Sequence, residues 1–372
     1  MPTPVTLSRR EAASRLIAWT GLDRPRRGTV AETVLSLGTV QLDPMQVVAP
    51  AHLWTLSLRR GPTRLGALDR ALRDGLVLEA VSIVRCLVHR DDLPAMVLGW
   101  RRRRANNWIQ RYGVEDAARE VMRVAEQGRP FLSRDLDSGY RVSGFWDAED
   151  ERRTKATSVA VDLLWSQGHL AVAGRSGGQK LYRLMDAHLP EAGRLIATLS
   201  EDEARWAAVR HHLRSHGLTD GRALGWGAAG RDQGRWVQEA VDHGVAVAVR
   251  VAEAPSFRGL ADPAWFQGDA GTPRRALVLA PVDTLVAPRP RLEAVFGFRY
   301  RWDAYTPRGA RRGGAYNMPI LYGSRFWGEA DARWEGDRLS AELRPAGDVD
   351  DPPPGVLRAL GAADALCRRL RG

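Results

Sequence analysis

Gln41 and Asp43 stand two positions apart in TVQLDPMQVVAPAHLWTLSLRRG (39–61), with apolar Leu42 between them. On an extended segment, residues two apart project to one face. The amide and the carboxylate can then reach one small target, while Leu42 turns into the core and anchors them. Asp43-Pro44 carries a second reading, with Asp as a helix N-cap and Pro at the first helical position. A carboxylate there can serve both purposes. The local amides would lower its pKa and weaken it as a base.

Three stretches share a grammar that could position such a pair. ALRDGLVLEAV (71–81), LLWSQGHLAVA (163–173) and AVDHGVAVAVRV (240–251) each end a helical pattern at a glycine and enter an apolar, β-branched run. Gly75, Gly168 and Gly244 fit the left-handed residue just past a helix end. Short helices followed by a hairpin with a polar tip are winged-helix grammar, and the irregular spacing indicates a tandem of domains and not a solenoid. From about residue 275 the texture changes to short strands broken by Gly, Pro and Asp, with a closing helix in VLRALGAADALCRRL. The expected fold is α+β, with three tandem winged-helix domains at 1–95, 96–190 and 191–262 and a β-barrel-like domain at 263–372.

The chain holds 55 Lys plus Arg against 44 acids, a net charge of +11, and Lys155 and Lys180 are its only lysines. A GC-rich genome accounts for part of the arginine excess, yet the charge is not spread evenly. Residues 1–110 carry a net +8 and 274–312 a net +6, whereas 111–273 and 313–372 come to −2 and −1. A polyanion gripped by both basic segments is the natural partner. Other classes fall away. No window of ~18 uninterrupted apolar residues suggests a membrane span, and the charged start lacks a secretory apolar run. Cys86 and Cys367 make neither a disulfide framework nor a zinc module. His211, His212 and His216 have no HExxH or paired CxxC beside them, so no metal and no cofactor are expected. The composition reads as a reduced, soluble, cytoplasmic monomer.

The QLD at 41–43, followed by VVAPAH and LWTLSLR, resembles the catalytic segment of the AlkZ/AlkX (YcaQ) family of bacterial DNA glycosylases. LSRREA near the start, WSQGHLAVAGR and LYRL in the middle, and APVDTL, FGFRYRWDAYTP and MPILYGSRFWGEAD near the end are similar to that family too, in order and over nearly the whole chain. The resemblance implies tandem winged helices and a β-barrel around a basic concave channel. It also implies hydrolysis of the N-glycosidic bond of alkylated purines in double-stranded DNA, including interstrand crosslinks, leaving an abasic site. Asp43 would then be the base or electrostatic stabiliser, and Gln41 would orient water or the deoxyribose. An N7-alkylated guanine is already a good leaving group, so no strong acid is needed. No lysine lies near the motif, which argues against Schiff-base lyase chemistry.

Two departures bear on the substrate. LEAVSIVRCLVHRDDLP (78–94) lacks the His-Glu pair common in the family's Gln-apolar-Asp members and reads more like the Arg-x-x-x-His segment of its Gln-apolar-Gln branch. The C-terminal hairpin, expected to probe a groove, reads Arg311-Arg312-Gly-Gly-Ala-Tyr316. Loss of bulk there fits large N7-guanine adducts and self-resistance to a genotoxic natural product. Arg311, Arg312 and Tyr316 are candidates for groove or phosphate contact. Arg59 and Arg60 could clamp phosphates, and Arg175 and Lys180 flank the tip of the second wing. His52 and Trp54 could face the site or pack as core. Arg101–Arg104 reads as a solvated helix face, and Trp146, Trp165, Trp302 and Trp327 as core. Asp283 could cap or bridge. The competing function is a non-catalytic winged-helix DNA-binding regulator, which the Gln41/Asp43 pair within a full-length resemblance disfavours.

Overall fold

The computed structural model describes residues 3–45, 47–82, 84–145, 147, 151–220, 233–311, 314–335, 338–347 and 351–371. The chain divides into two compact units, Met1–Leu65 with Arg210–Gly372, and Gly66–Val209.

In the first unit, the N-terminal strand Val5–Leu7 pairs in parallel with Val247–Val251. That strand forms an antiparallel hairpin with Ala254–Ala261, whose other edge takes Leu218–Asp220. Two helices start where the sequence supplies a capping box. Ser8 and Glu11 open Arg9–Trp19, and Thr29 and Glu32 open Val30–Leu37. The first buries Ala12, Ala13, Leu16 and Ile17 at helical spacing against Leu279, Leu292 and Val295. The second ends at Gly38 and runs directly into the short strand Val40–Gln41, followed by the helix Ala51–Arg60.

The C-terminal part of this unit corrects the expected barrel. Leu277–Val278, Asn317–Tyr322, Arg325–Glu335 and Arg338–Pro345 form an open antiparallel sheet, each strand paired with the next. The helix Pro354–Arg371 packs Val356, Ala359, Ala363 and Cys367 into one core with Met318, Ile320, Ala330 and Ala332 of the sheet, and Val48 and Trp54 join it. A helix laid on the apolar face removes the need for the sheet to curl up on itself.

In the second unit, Val77–Val81 pairs with Arg85–His89, and Leu170–Ser176 with Gln179–Leu184, which also takes Phe131–Leu132 on its free edge. Helices Glu115–Ala125 and Ala156–Ser166 bury Val121, Val159, Leu164 and Trp165 with Val172. Gly75, Gly168 and Gly244 sit at φ +64, +72 and +66, each just before a hairpin, as the grammar anticipates. Arg101–Arg104 departs from the solvated-face reading. Arg101 donates to the carbonyls of Ile196 and Leu199, Arg103 to those of Ser166 and Val81, and Arg104 to those of Gln167 and Gly168. The carbonyls of Ile196, Leu199, Ser166 and Gln167 are ones that helix ends leave unpaired, Gly168 lies just beyond such an end and Val81 ends a strand, and each guanidinium fork satisfies two at once. Of the tryptophans read as core, Trp165 is buried, Trp302 and Trp327 are half-buried, and Trp146 lies outside the described residues.

Candidate active site

Gln41 ends its strand half-buried, and Val40 before it is fully buried. Leu42 is half-buried too, whereas Asp43 is only 6% exposed. The anchoring is therefore the reverse of the strand reading, since the carboxylate goes inward. Nor does Asp43 cap a helix. The next α-helix starts at Ala51, with Pro50 as its cap. Asp43 Oδ1 instead accepts the N–H of Met45 at 3.1 Å, a local Asx-type turn.

This geometry sets the electrostatics. Oδ2 is buried and accepts no hydrogen bond among the described residues. Burial pushes the Asp43 pKa up, and the single Met45 N–H opposes it with a smaller effect. The direction is opposite to that of an N-cap carboxylate. One oxygen is thus tied down and the other is buried without a partner among the described residues, which favours the protonated form relative to an exposed carboxylate.

Tyr316 belongs to this neighbourhood and not to a solvent-facing hairpin. It is 2% exposed in the core with Val48, Trp54 and Met318, and Trp302 meets it edge-on at 6.1 Å. Its phenol pKa is raised, first by burial and next by the Asp43 carboxylate. His52 is buried on the helix Ala51–Arg60. Trp54 on the same helix donates its indole N–H to the carbonyl of Val278 at 2.8 Å, tying that helix to the C-terminal sheet.

The cationic candidates divide sharply. Arg59, 2% exposed, forms a two-point ion pair with fully buried Asp283 at 2.8 and 2.9 Å and donates to the carbonyls of Thr20 and Thr55. It is an internal strut, unavailable to phosphate, and Asp283 is the bridging residue. Arg175 and Lys180 both pair with buried Glu79, and the Lys180 ammonium lies 4.8 Å from the centre of the Trp165 ring. Arg60 is half-buried, donating to Gly28 O and Thr63 Oγ1, and Arg311 donates to Thr306 O. Arg312 lies outside the described residues.

Composition alone did not single out Glu79. The signal was an acid within the otherwise apolar run LVLEAV, which demands cationic partners once the strand is buried. Nor were Arg27 and Arg64 picked out. Both are exposed, and among the described residues neither has an ion-pair or hydrogen-bond partner. No group of His, Cys, Asp and Glu among the described residues could hold a metal ion. No helix is long and apolar enough to cross a membrane among those residues.

A family model described as DNA glycosylase AlkZ-like matches residues 34–370. Among solved structures, the Streptomyces sahachiroi DNA glycosylase AlkZ has a similar fold, with a TM-score of 0.67 and 16% identity. That likeness covers 98% of this chain and 98% of that one.

Proposed function

The chain belongs to the AlkZ-like DNA glycosylase family, and from that premise we propose that it hydrolyses the N-glycosidic bond of N7-alkylated guanine in duplex DNA, with Asp43 as base and Gln41 as the orienting amide. The observation that carries this reading is the buried, half-satisfied carboxylate of Asp43 with its raised pKa. As the C1′–N9 bond lengthens, the leaving purine gains the bonding pair and loses its positive charge, while the sugar acquires oxocarbenium character. A water held by Gln41 attacks C1′ and passes its proton to Asp43. The products are an abasic sugar and a neutral alkylguanine, and the proton later leaves Asp43 for solvent. An anionic carboxylate near the sugar also stabilises the developing cation.

The reaction is proposed as hydrolysis without lyase chemistry. A Schiff base needs an uncharged amine, and the only two lysines are ion-paired, Lys155 with Asp137 at 3.2 Å and Lys180 with Glu79 at 2.7 Å. For phosphate contact, Arg27 and Arg64, exposed and without partners among the described residues, take the place of Arg59 beside Arg60 and Arg311. The small residues Gly314 and Ala315 support bulky adducts as the preferred lesions, consistent with a self-resistance role, and crosslinked guanines are included in the proposed range.

The test is incubation of the full chain with duplexes carrying N7-methylguanine, a bulky N7 adduct or an N7-crosslink, followed by alkaline cleavage at abasic sites. Base release is expected from wild type and is reduced at least a hundredfold in Asp43→Asn and Gln41→Ala, with DNA affinity retained. Wild-type release by both variants refutes the assignment of the pair. Equal rates on the small and bulky lesions refute the preference for bulk.

A further inference from the structure

We propose that Thr39 and His211, with Ser215 behind them, form a latch that sets the position of Gln41 relative to Asp43. The inference rests on the reading of those two as the reacting pair.

The helix Val30–Leu37 reverses at Gly38, which has φ +66. A Cβ at Gly38 would stand 2.1 Å from Ser215 Oγ and 3.1 Å from Ser215 Cα, so the end of the helix Glu201–His216 presses directly on the turn. One residue on, Thr39 Oγ1 lies 3.0 Å from His211 Nε2. On its other side, the Thr39 carbonyl accepts from Thr284 Oγ1 at 3.4 Å. The reversal that leads into the reacting strand is thus gripped by a helix and by a loop.

Both grips are themselves immobilised. Arg214 Nη2 lies 3.4 Å from His211 Nδ1, and Ser215 Oγ donates to the His211 carbonyl at 2.7 Å. Fully buried Arg291 donates to the carbonyls of His216 and Leu218 at the helix end (2.7 and 3.2 Å), and to those of Thr284 and Leu285 in the loop (2.7 and 3.0 Å). Helix end and loop are thereby joined through one guanidinium. Between Thr39 and Gln41 lies only Val40, whose side chain is fully buried. A tilt of the peptide at Thr39 is therefore transmitted to the amide two residues on. A 1 Å misplacement of a reacting group costs up to ~10²-fold in rate. The hydroxyl–imidazole contact fixes a direction, which an apolar contact at the same place would not.

The experiment uses the full chain in excess over a duplex with one N7-methylguanine, so that single-turnover release is read separately from binding. Thr39→Val keeps the shape and removes the hydroxyl; Thr39→Ser keeps the hydroxyl; His211→Phe removes the nitrogen from the other side. Thr39→Val and His211→Phe are each expected to slow release about tenfold at saturating enzyme, with Kd unchanged and the assay run well below the melting transition of each variant, and Thr39→Ser restores the rate. In the Gln41→Ala background, Thr39→Val should add less than a further twofold, since the latch acts through Gln41. Release at the wild-type rate in Thr39→Val and His211→Phe, with Asp43→Asn inactive, overturns the latch alone. A full tenfold loss on top of Gln41→Ala, or a loss that tracks a lowered Tm without rescue by serine, overturns it as well. Asp43→Asn releasing base like wild type sinks the reacting pair itself and the latch with it.

Discussion

Replacing Asp43 by Asn should abolish base release and stabilise the protein at once, and the two effects share one cause. The carboxylate is buried, one oxygen accepts a single N–H from Met45, and the other has no partner among the described residues. Its pKa is raised by burial, so the fold disfavours the ionised form. Asn is nearly the shape of the protonated acid and still accepts the Met45 bond. Each pKa unit of upward shift corresponds to about 1.4 kcal/mol. At pH 7 the variant should therefore melt above wild type, by an amount that follows the size of the upward shift.

The pH dependence carries the stronger test. For an acid whose folded pKa lies above its unfolded one, wild type binds the proton more tightly when folded. Wild type therefore gains stability as pH falls through the folded pKa, and the gain is complete below the unfolded value of about 3.9. The advantage of Asp43→Asn should be flat above the folded pKa and vanish towards pH 4. Calorimetric melts of both proteins between pH 4 and 8 measure it. A variant less stable than wild type at pH 7, or a gain that persists unchanged at pH 4, refutes the reading of Asp43 as a desolvated base. The rate of base release should fall on the acid side along a limb above the ordinary aspartate range.

The other predictions concern the charged residues. Arg59→Met should cost about 3–5 kcal/mol, because it strands the fully buried Asp283 carboxylate, and the double variant Arg59→Met/Asp283→Leu should recover most of that in denaturant melts. Arg27→Gln and Arg64→Gln should each reduce the slope of log affinity against log salt by about 1, whereas Arg175→Gln should leave it unchanged, since Arg175 pairs with Glu79. Borohydride added during turnover should trap no protein–DNA adduct; a trapped adduct would reinstate a lyase amine.

Local structure was legible where neighbours in sequence determine it. Gly75, Gly168 and Gly244 announce helix ends because that signal acts within four residues, whereas the equally local helix starts at Ser8 with Glu11 and Thr29 with Glu32 emerge only with the structure. The positions of Gln41 and Asp43 were legible as a motif, but the state of Asp43 was not. What buries it comes partly from far along the chain, with Tyr316 at its side. The strand reading gave Leu42 the inward place, yet the segment leaves extended structure after Gln41 and the alternation stops with it. Barrel closure failed for a similar reason. Whether four strands curl or lie open depends on what covers their apolar face, and here the helix Pro354–Arg371 and the residues around Trp54 do so.

Charge illustrates the same limit most directly. The net +8 of residues 1–110 counts Arg59, Arg101, Arg103 and Arg104 as equals of Arg27 and Arg64. The first four direct their donors at Asp283 or at backbone carbonyls inside the protein, and of the six only the last two stand exposed without partners among the described residues. Arginine suits that internal work because its flat fork satisfies two carbonyls and stays charged when buried. An arginine-rich sequence therefore overstates the cation available to DNA. The salt dependence of binding should count the exposed, unpartnered guanidiniums, and a slope matching the full +11 would show that the internal struts open to the duplex when DNA binds.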